Sequence, residues 1–490
     1  MSRVSGTHSK LWLWGSFAGL RPVRPSPMVL DLPPSDTGAP WHIRGAAAGA
    51  KHLALLATEG QIILMGNNKQ GQIGQPISTV GTQGLGLAQN TGAVDPMERL
   101  PYLYDLELSP EERPDSIACG CNYNIFYRKG TRTAIVVGNN LYAQLALGHK
   151  EILDNSKGFA EWNTQAPWWQ ELDRRATERA ERAVAAPSEF SQMPSDMIGI
   201  KKIVCGHNHT LILMDDGTVM SCGSNTWGEL GLGHYDSPVQ PTMISTFEDM
   251  EEKDRVVDMA AGNSWSMFLT ATGRVYGCGA HQQGQLGELH SRIPRLLAVC
   301  RPEHAEEKLL KVKRIAAGAD HSVFVSKKNE LFFRGSLIPA GVTTGSRYQQ
   351  IKMPEDFNGG ISLVKASSCT TFVVSTDGHV YGFGLNAEGQ IHLDPGRVNL
   401  APNCYEDSLQ MIMRCKDPSA FREIAGLKGT QQYHYCNQVL AISHGFGVLV
   451  DHHGLYEPAD LPKEEENPTV YFPPRKRALA SPGMRRKAKF

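Results

Sequence analysis

The sequence predicts an all-β fold, a seven-bladed β-propeller closed by pairing of an N-terminal strand with the last blade, and three observations carry that expectation. First, a small-residue step is followed 17 positions later by a glycine that closes an apolar run, as from Gly49 to Gly66, Gly206 to Gly223, Gly262 to Gly279 and Gly318 to Gly335, with 18 from Gly120 to Gly138. Second, eleven residues into four of these units stands Gly60, Gly217, Gly273 or Asn329, residue types that accept the positive φ of a tight hairpin tip. Third, successive closing glycines are 51, 72, 85, 56, 56 and 49 residues apart while the hairpin length barely changes. Fixed hairpins with elastic connections fit small sheets arranged radially, each burying its faces against its neighbours.

The chain begins with an isolated strand and closing glycine, residues 11–15, that have no first half before them. Five complete units follow, and a sixth has Ser367 in the first glycine position with Gly378 and Gly384 after it. A seventh has Ser443, the apolar 448–450 and Gly454, and then stops. Its missing strand matches 11–15, so the two termini are expected to complete one blade. The propeller is placed at 10–456, as one unit despite its length, because propellers exceed the usual domain size.

Two long insertions interrupt it. Residues 75–115 carry a stretch poor in large side chains, the apolar 100–104 and an acidic run from Asp105 to Glu112. Residues 149–197 contain a helix candidate starting at Pro167, with Trp168, Leu172, Ala176, Ala180 and Val184 at four-residue spacing. That amphipathic helix either lies on the propeller or presents Trp168 and Trp169 as anchors for a partner, since aromatic anchors dominate interface energies.

Beyond 456 the composition changes. Residues 457–474 are rich in proline and glutamate and read as a disordered linker. The remainder holds seven Lys or Arg and no acid: Arg475, Lys476, Arg477, Arg485, Arg486, Lys487 and Lys489. The formal charge of −1 for the whole chain therefore leaves about −8 for everything before this basic tail. Such clusters serve as nuclear import signals or as contacts to phosphate backbones, with histones or DNA as partners and no sequence readout.

Enzyme chemistry is thin. There is no phosphate-cradling loop of the Gly-x-x-x-x-Gly-Lys type, no nucleophile elbow and no His-Glu-x-x-His. Ten cysteines without a Cys-x-x-Cys pair or a secretory-type leader read as free thiols and core fillers, with no metal and no cofactor expected. No apolar run approaches membrane-spanning length, and a monomer is expected. His52, His209 and His321 recur at one offset, with Trp265 in the same position of the intervening unit. Recurrence points to a shared hydrogen bond near the inner end of each blade, and these four are also the candidate partner contacts.

The wording of the units, Gly206-His207-Asn208-His209, Asp216-Gly217, Val380-Tyr381-Gly382-Phe383-Gly384 and Gly284-Gln285-Leu286-Gly287, resembles the repeats of the regulator of chromosome condensation family over roughly 10–456. That resemblance implies the propeller and, in one branch, guanine nucleotide exchange on the small GTPase Ran, achieved by gripping the GTPase rather than by covalent chemistry. Other branches are ultraviolet receptors, inhibitors and scaffolds. In the exchange branch an acid precedes the repeat histidine of the third unit. Here that position is Asn208, and an acid stands instead at Asp320 in the fifth, so both are candidate exchange residues. The resulting expectation is a nuclear, chromatin-linked regulator of a Ran-type GTPase. The other readings are a propeller scaffold docking proteins through its loops, and cytoplasmic or mitochondrial residence, the last from the acid-poor first thirty residues.

Overall fold

The computed structural model describes residues 10–15, 28–31, 42–74, 102–151, 159–182, 198–248, 250–287, 291–297, 299, 310–337, 348–386, 391, 405–416, 438–443, 446–451, 455–458 and 469–471. The third blade shows how a unit forms. Ile200–Cys205 runs to the glycine step, His209–Met214 returns antiparallel to it, a hairpin at Gly217 leads into Val219–Gly223, and a short outer strand, Thr242–Met243, completes the sheet. The register pairs Cys205 with Thr210 and His209 with Gly223, so the glycine step and the closing glycine lie at one end of the blade, here the upper face. Gly223 sits at φ 111°, and a Cβ there would meet the Asn208 carbonyl at 2.4 Å, which no side chain tolerates.

The middle strand is buried on both faces along its whole length, as in His209–Met214. Successive side chains point to opposite faces. Ile212 and Met214 therefore pack with Ile125 and Val136 of the second blade, while Leu211 and Leu213 pack with Met259 and Phe268 of the fourth. Each boundary between blades is thus a separate apolar layer. Cys222 and Cys278 are buried in two of these layers, as the expectation of core fillers requires.

The expected seven-bladed propeller is corrected by the sheet topology to six blades. Six blades follow the repeat, with first strands at Ile43–Ala48, Ser116–Cys119, Ile200–Cys205, Val256–Ala261, Val312–Ala317 and Ile361–Ser367. The first five are each built from one continuous stretch, and the sixth adds a fifth strand, Tyr456–Pro458, from beyond the composite sheet's own C-terminal hairpin. What stands between the sixth and the first is a composite five-stranded sheet in the order Gln438–Ser443, Phe446–Asp451, Lys10–Gly15, Met28–Asp31, Thr469–Tyr471. Lys10–Gly15 pairs antiparallel with Phe446–Asp451 from Lys10 opposite Asp451 to Gly15 opposite Phe446. The last strand pairs parallel with Met28–Asp31, whereas the strands of the repeat blades pair antiparallel among the described residues. The expectation of a disordered segment from 457 onward is corrected at 457–458, which pair with Met413 and Arg414 of the sixth blade, and at 469–471 by the parallel pairing with Met28–Asp31. Residues 472–490, with the whole basic tail, lie outside the described residues.

Each insertion supplies an outer strand. Tyr102–Tyr104 adds to the first blade beside Ile62–Gly66, and Ala160–Glu161 adds to the second beside Ala134–Gly138. Helix α1, Pro167–Arg182, starts at the proline as read from sequence. Trp168, Trp169 and Leu172 are buried in the layer between the second and third blades. Arg132 bonds Asp173 at 3.0 Å and Arg175 bonds Glu248, which fixes the helix to both sides of that boundary.

Candidate functional site

The repeated aromatic position forms a latch between blades. His52 Nε2 lies 2.8 Å from Asn124 Oδ1, Tyr123 donates its hydroxyl to the His209 carbonyl at 2.6 Å, and His209 Nε2 lies 3.1 Å from Ser266 Oγ. Trp265 donates Nε1–H to the Ala319 carbonyl at 2.7 Å, and His321 Nε2 lies 2.8 Å from Thr371 Oγ1. Every one of these side chains is buried and reaches into the following blade. The four candidate partner contacts His52, His209, His321 and Trp265 therefore touch neighbouring blades. Trp168 and Trp169 are likewise turned inward, stacked with ring centroids 3.9 Å apart, and Trp162 stands edge-on to Trp168.

Burial also fixes the charge state of the latch. Loss of water pushes His52 and His321 down to about 4 and His209 to about 3, the last with repulsion from His207, so all three are neutral near pH 7.

At the upper end of the bore a second belt is made by main chain alone. Ala50 N–H donates to the Cys121 carbonyl (2.9 Å), Cys121 to His207 (3.1 Å), Asn263 to Ala319 (3.3 Å) and Ala319 to Ser368 (2.7 Å). His207 N–H completes the run by donating to Gly262 and Asn263, both at 3.3 Å. These residues rim a cavity of about 140 Å³. Cys121 and Cys205 line it too, but burial raises their thiols to about 11 and about 12, which leaves them protonated and poor nucleophiles. Among the described residues no group of three or more His, Cys, Asp or Glu could hold a metal ion.

Asn208 and Asp320 occupy equivalent positions in the third and fifth blades and are not brought into one site. Each uses its main-chain carbonyl to accept the N–H after the closing glycine, Ser224 at 2.9 Å and Ser336 at 2.8 Å. The Asp320 carboxyl is half-buried, and that burial raises it above the ordinary aspartate range.

The surface that sequence reasoning missed lies on the same upper face, in the turns after the closing glycines. There a Gln or Glu side chain accepts the N–H of the residue two before it: Gln72 from Gln70 (2.9 Å), Gln144 from Tyr142 (2.9 Å), Glu229 from Trp227 (2.7 Å) and Gln285 from Gln283 (3.0 Å). That bond anchors the acceptor inside and leaves the donor residue at the surface. In the second and third blades the donor is aromatic, and Tyr142 and Trp227 are 41% and 42% exposed. Leu141, Tyr235, Val239 and Ile293 are exposed beside them. The three turns touch one another: Lys150 Nζ donates to the Ser237 carbonyl at 2.7 Å, and Gly233 N–H to the Arg292 carbonyl at 2.9 Å. Arg292 stacks over Tyr235 at 5.6 Å beside a groove lined also by Arg295. The readable signal was an aromatic at 142 and 227 where the other two turns carry glutamine.

The fold, the latch and the turn geometry are those of a defined repeat. Family models described as the Regulator of chromosome condensation (RCC1) repeat match residues 200–228 and 256–285, and 216–269 and 272–325. The chain belongs to the regulator of chromosome condensation repeat family. The RCC1-like G exchanging factor-like protein of Homo sapiens is 25% identical over 68% of this chain and 68% of its own length. The ultraviolet-B receptor of Arabidopsis thaliana is 31% identical over 40% of this chain, which spans 43% of that receptor. Among solved structures, human WBSCR16 aligns with a TM-score of 0.61 at 18% identity, covering 90% of this chain and 99% of that one. Prp20p of Saccharomyces cerevisiae, a protein with binding properties to Gsp1p and histones, aligns at 0.57 and 17%, covering 94% and 93%. At those identities the structural likeness is one of fold alone. No helix among the described residues is long and apolar enough to cross a membrane.

Proposed function

We propose that this protein regulates a small GTPase of the Ran type by gripping it with the upper face of the ring and promoting guanine nucleotide release. The observation that carries the reading is the contiguous exposed surface of Leu141, Tyr142, Trp227, Tyr235, Val239 and Ile293, bordered by Arg292 and Arg295. Exposed aromatics held in turns on a rigid scaffold, with basic groups at the edge, have the composition of a protein-binding hot spot. Kinship with an exchange-factor-like protein supports a GTPase as the partner. Exchange needs no covalent step: a partner that binds the nucleotide-free GTPase more tightly than the loaded one lowers nucleotide affinity by that ratio. Asp320 and Asn208 stand at the upper ends of their blades, where they reach such a partner.

We further assign the basic tail, Arg475 to Lys489, to nuclear import and to contact with histones or DNA. Deletion of 475–490 then moves a tagged protein out of the nucleus. The scaffold reading is favoured by one observation, the amide of Asn208 where the exchange branch carries an acid.

The deciding experiment follows release of a fluorescent guanine nucleotide from a purified Ran-type GTPase with and without this protein at micromolar concentration. Acceleration is expected. No acceleration together with no complex on gel filtration leaves the scaffold.

A further inference from the structure

We propose that the bore of the ring is a binding site for a small phosphate-type oxyanion, held by Lys365 opposite the Lys202–Asp258 pair. Lys365 lies on the innermost strand of the sixth blade, two residues before Ser367 at the rim. Its counterparts in the other five repeat blades are Ala47, Ala118, Val204, Ala260 and Ala316, all apolar, so the ammonium is the exception at this level of the bore.

The side chain extends across the bore. Its electrostatic neighbours are Lys202 of the third blade and Asp258 of the fourth, not residues of the adjoining fifth. Lys365 is exposed to solvent, and the protein around it still costs its ammonium hydration. Asp258 is already engaged: Lys202 Nζ bonds Asp258 Oδ1 and reaches the Met259 carbonyl at 3.3 Å. Two amines facing one carboxylate leave an uncompensated positive charge. Lys365 has no hydrogen-bond partner among the described residues.

The flanking strands do not compensate it. On the fifth blade, Arg314 stands at the register position of Lys202 and Asp258, and its Nε is buried without a partner among the described residues. Lys313 is occupied by Asn329 and by the Ile361 carbonyl. The strand on the other side, Gln438–Ser443, contains no titratable residue. Above Lys365 lies the rim cavity of about 140 Å³, bounded by Ala261, Ala366 and Ser367 among others. Its volume equals that of about four or five waters, which suits an oxyanion of a few heavy atoms and excludes a folded partner. A cation that must share its one carboxylate with a second amine gains from an anion that supplies a further counter-charge.

Burial lowers Lys365 to about 8, with repulsion from Lys202 adding to the effect and Asp258 opposing it. A bound anion favours the ammonium, so near pH 8 binding draws a proton from solution. The experiment is calorimetric titration of inorganic phosphate, and in a second arm of glycerol phosphate, into the full chain at pH 8 in two buffers of different ionisation enthalpy. Wild type is expected to bind with proton uptake, and Lys365→Met to lose at least tenfold in affinity and the uptake, while Lys352→Met, an exposed surface change, behaves as wild type. Binding of phosphate alone identifies a free inorganic ion, and binding of both identifies a phosphomonoester site. No binding by wild type, or unchanged binding by Lys365→Met, overturns the proposal. Where Lys365→Met fails to fold, acetic anhydride labelling of wild type read by peptide mass replaces it: phosphate should suppress labelling at Lys365 severalfold, and equal labelling with and without phosphate overturns the site.

Discussion

His209 and Ser266 join the third blade to the fourth through a hydrogen bond of 3.1 Å, and the second bond of Ser266 fixes its direction. Ser266 Oγ donates its proton to the Glu229 carbonyl at 2.7 Å, so it accepts from His209 Nε2–H. Ser322 repeats half of this arrangement, donating to the Gln285 carbonyl at 2.7 Å. Replacing Ser266 by alanine strands a buried imidazole N–H. Ser266→Ala is expected to cost about 1–3 kcal/mol, and His209→Ala, which also opens a cavity, about 2–4 kcal/mol. Because the two share one bond, the double variant should lose less than the sum of the single losses. Urea unfolding of the four proteins measures this, and strict additivity would show that the latch carries no coupling.

The latch also predicts acid sensitivity. His52, His209 and His321 have folded-state values near 4, 3 and 4, below the 6.5 of a free histidine. Above pH 6.5 both the folded and the unfolded chain carry them neutral, and stability is unaffected. Below it only the unfolded chain takes up protons, so stability falls with falling pH until the folded values are reached. Each histidine contributes a slope of at most about 1.4 kcal/mol per pH unit. His321→Gln, whose amide can still donate to Thr371, should lower the slope between pH 6 and 4.5 by up to one proton. Thermal unfolding across that range is the measurement, and an unchanged slope would mean that His321 is already protonated in the fold.

Much of this was legible in the chain because the hairpin offsets are rigid: Gly206, Gly217 and Gly223 each sit where a side chain would collide or a positive φ is needed. The composite sheet was legible only in part: the pairing of 11–15 with 448–450 was read from the chain, and the two further strands were not. Met28–Asp31 and Thr469–Tyr471 are four and three residues long and 441 positions apart at their starts, and no local pattern announces a parallel pair. Nor does sequence separate two tryptophans by type. Trp265 is fully buried because it fills the latch position, whereas Trp227 is 42% exposed because its N–H is tied to Glu229. Lys365 was legible in principle, as a charge in an apolar column of aligned repeats, but its approach to Lys202 requires the ring.

Helix α1 should matter for stability and not for partner binding. Trp169 is 1% exposed, lies under the Arg132 guanidinium at 4.9 Å, and Arg132 is held in turn by Asp173. Trp169→Ala removes the stacked ring and leaves a cavity, at a cost of about 3–5 kcal/mol. Chemical denaturation measures the loss. Affinity for the GTPase, measured on the folded fraction, is expected to stay at the wild-type level; a loss of affinity without a loss of stability would restore the reading of this helix as a partner anchor.

Trp227 and Tyr142 should behave in the opposite way. Both project from turns whose geometry is set by main-chain bonds to Glu229 and Gln144, and neither bond needs the aromatic ring. Trp227→Ala and Tyr142→Ala are therefore expected to change stability by no more than about 0.5 kcal/mol, in the range of ordinary surface substitutions. If the upper face is the docking surface, truncating a central aromatic should weaken the GTPase complex by about 2 kcal/mol or more, roughly thirtyfold, with Trp227 the larger of the two. Glu229→Ala tests the support rather than the contact, since it releases the Trp227 turn and strands the Ser224 hydroxyl bonded to Glu229 Oε1 at 2.9 Å, so it should lose both stability and affinity. Surface plasmon resonance against the nucleotide-free GTPase, paired with thermal unfolding of each variant, distinguishes the two effects; a Trp227→Ala protein that binds as wild type places the docking surface elsewhere on the ring.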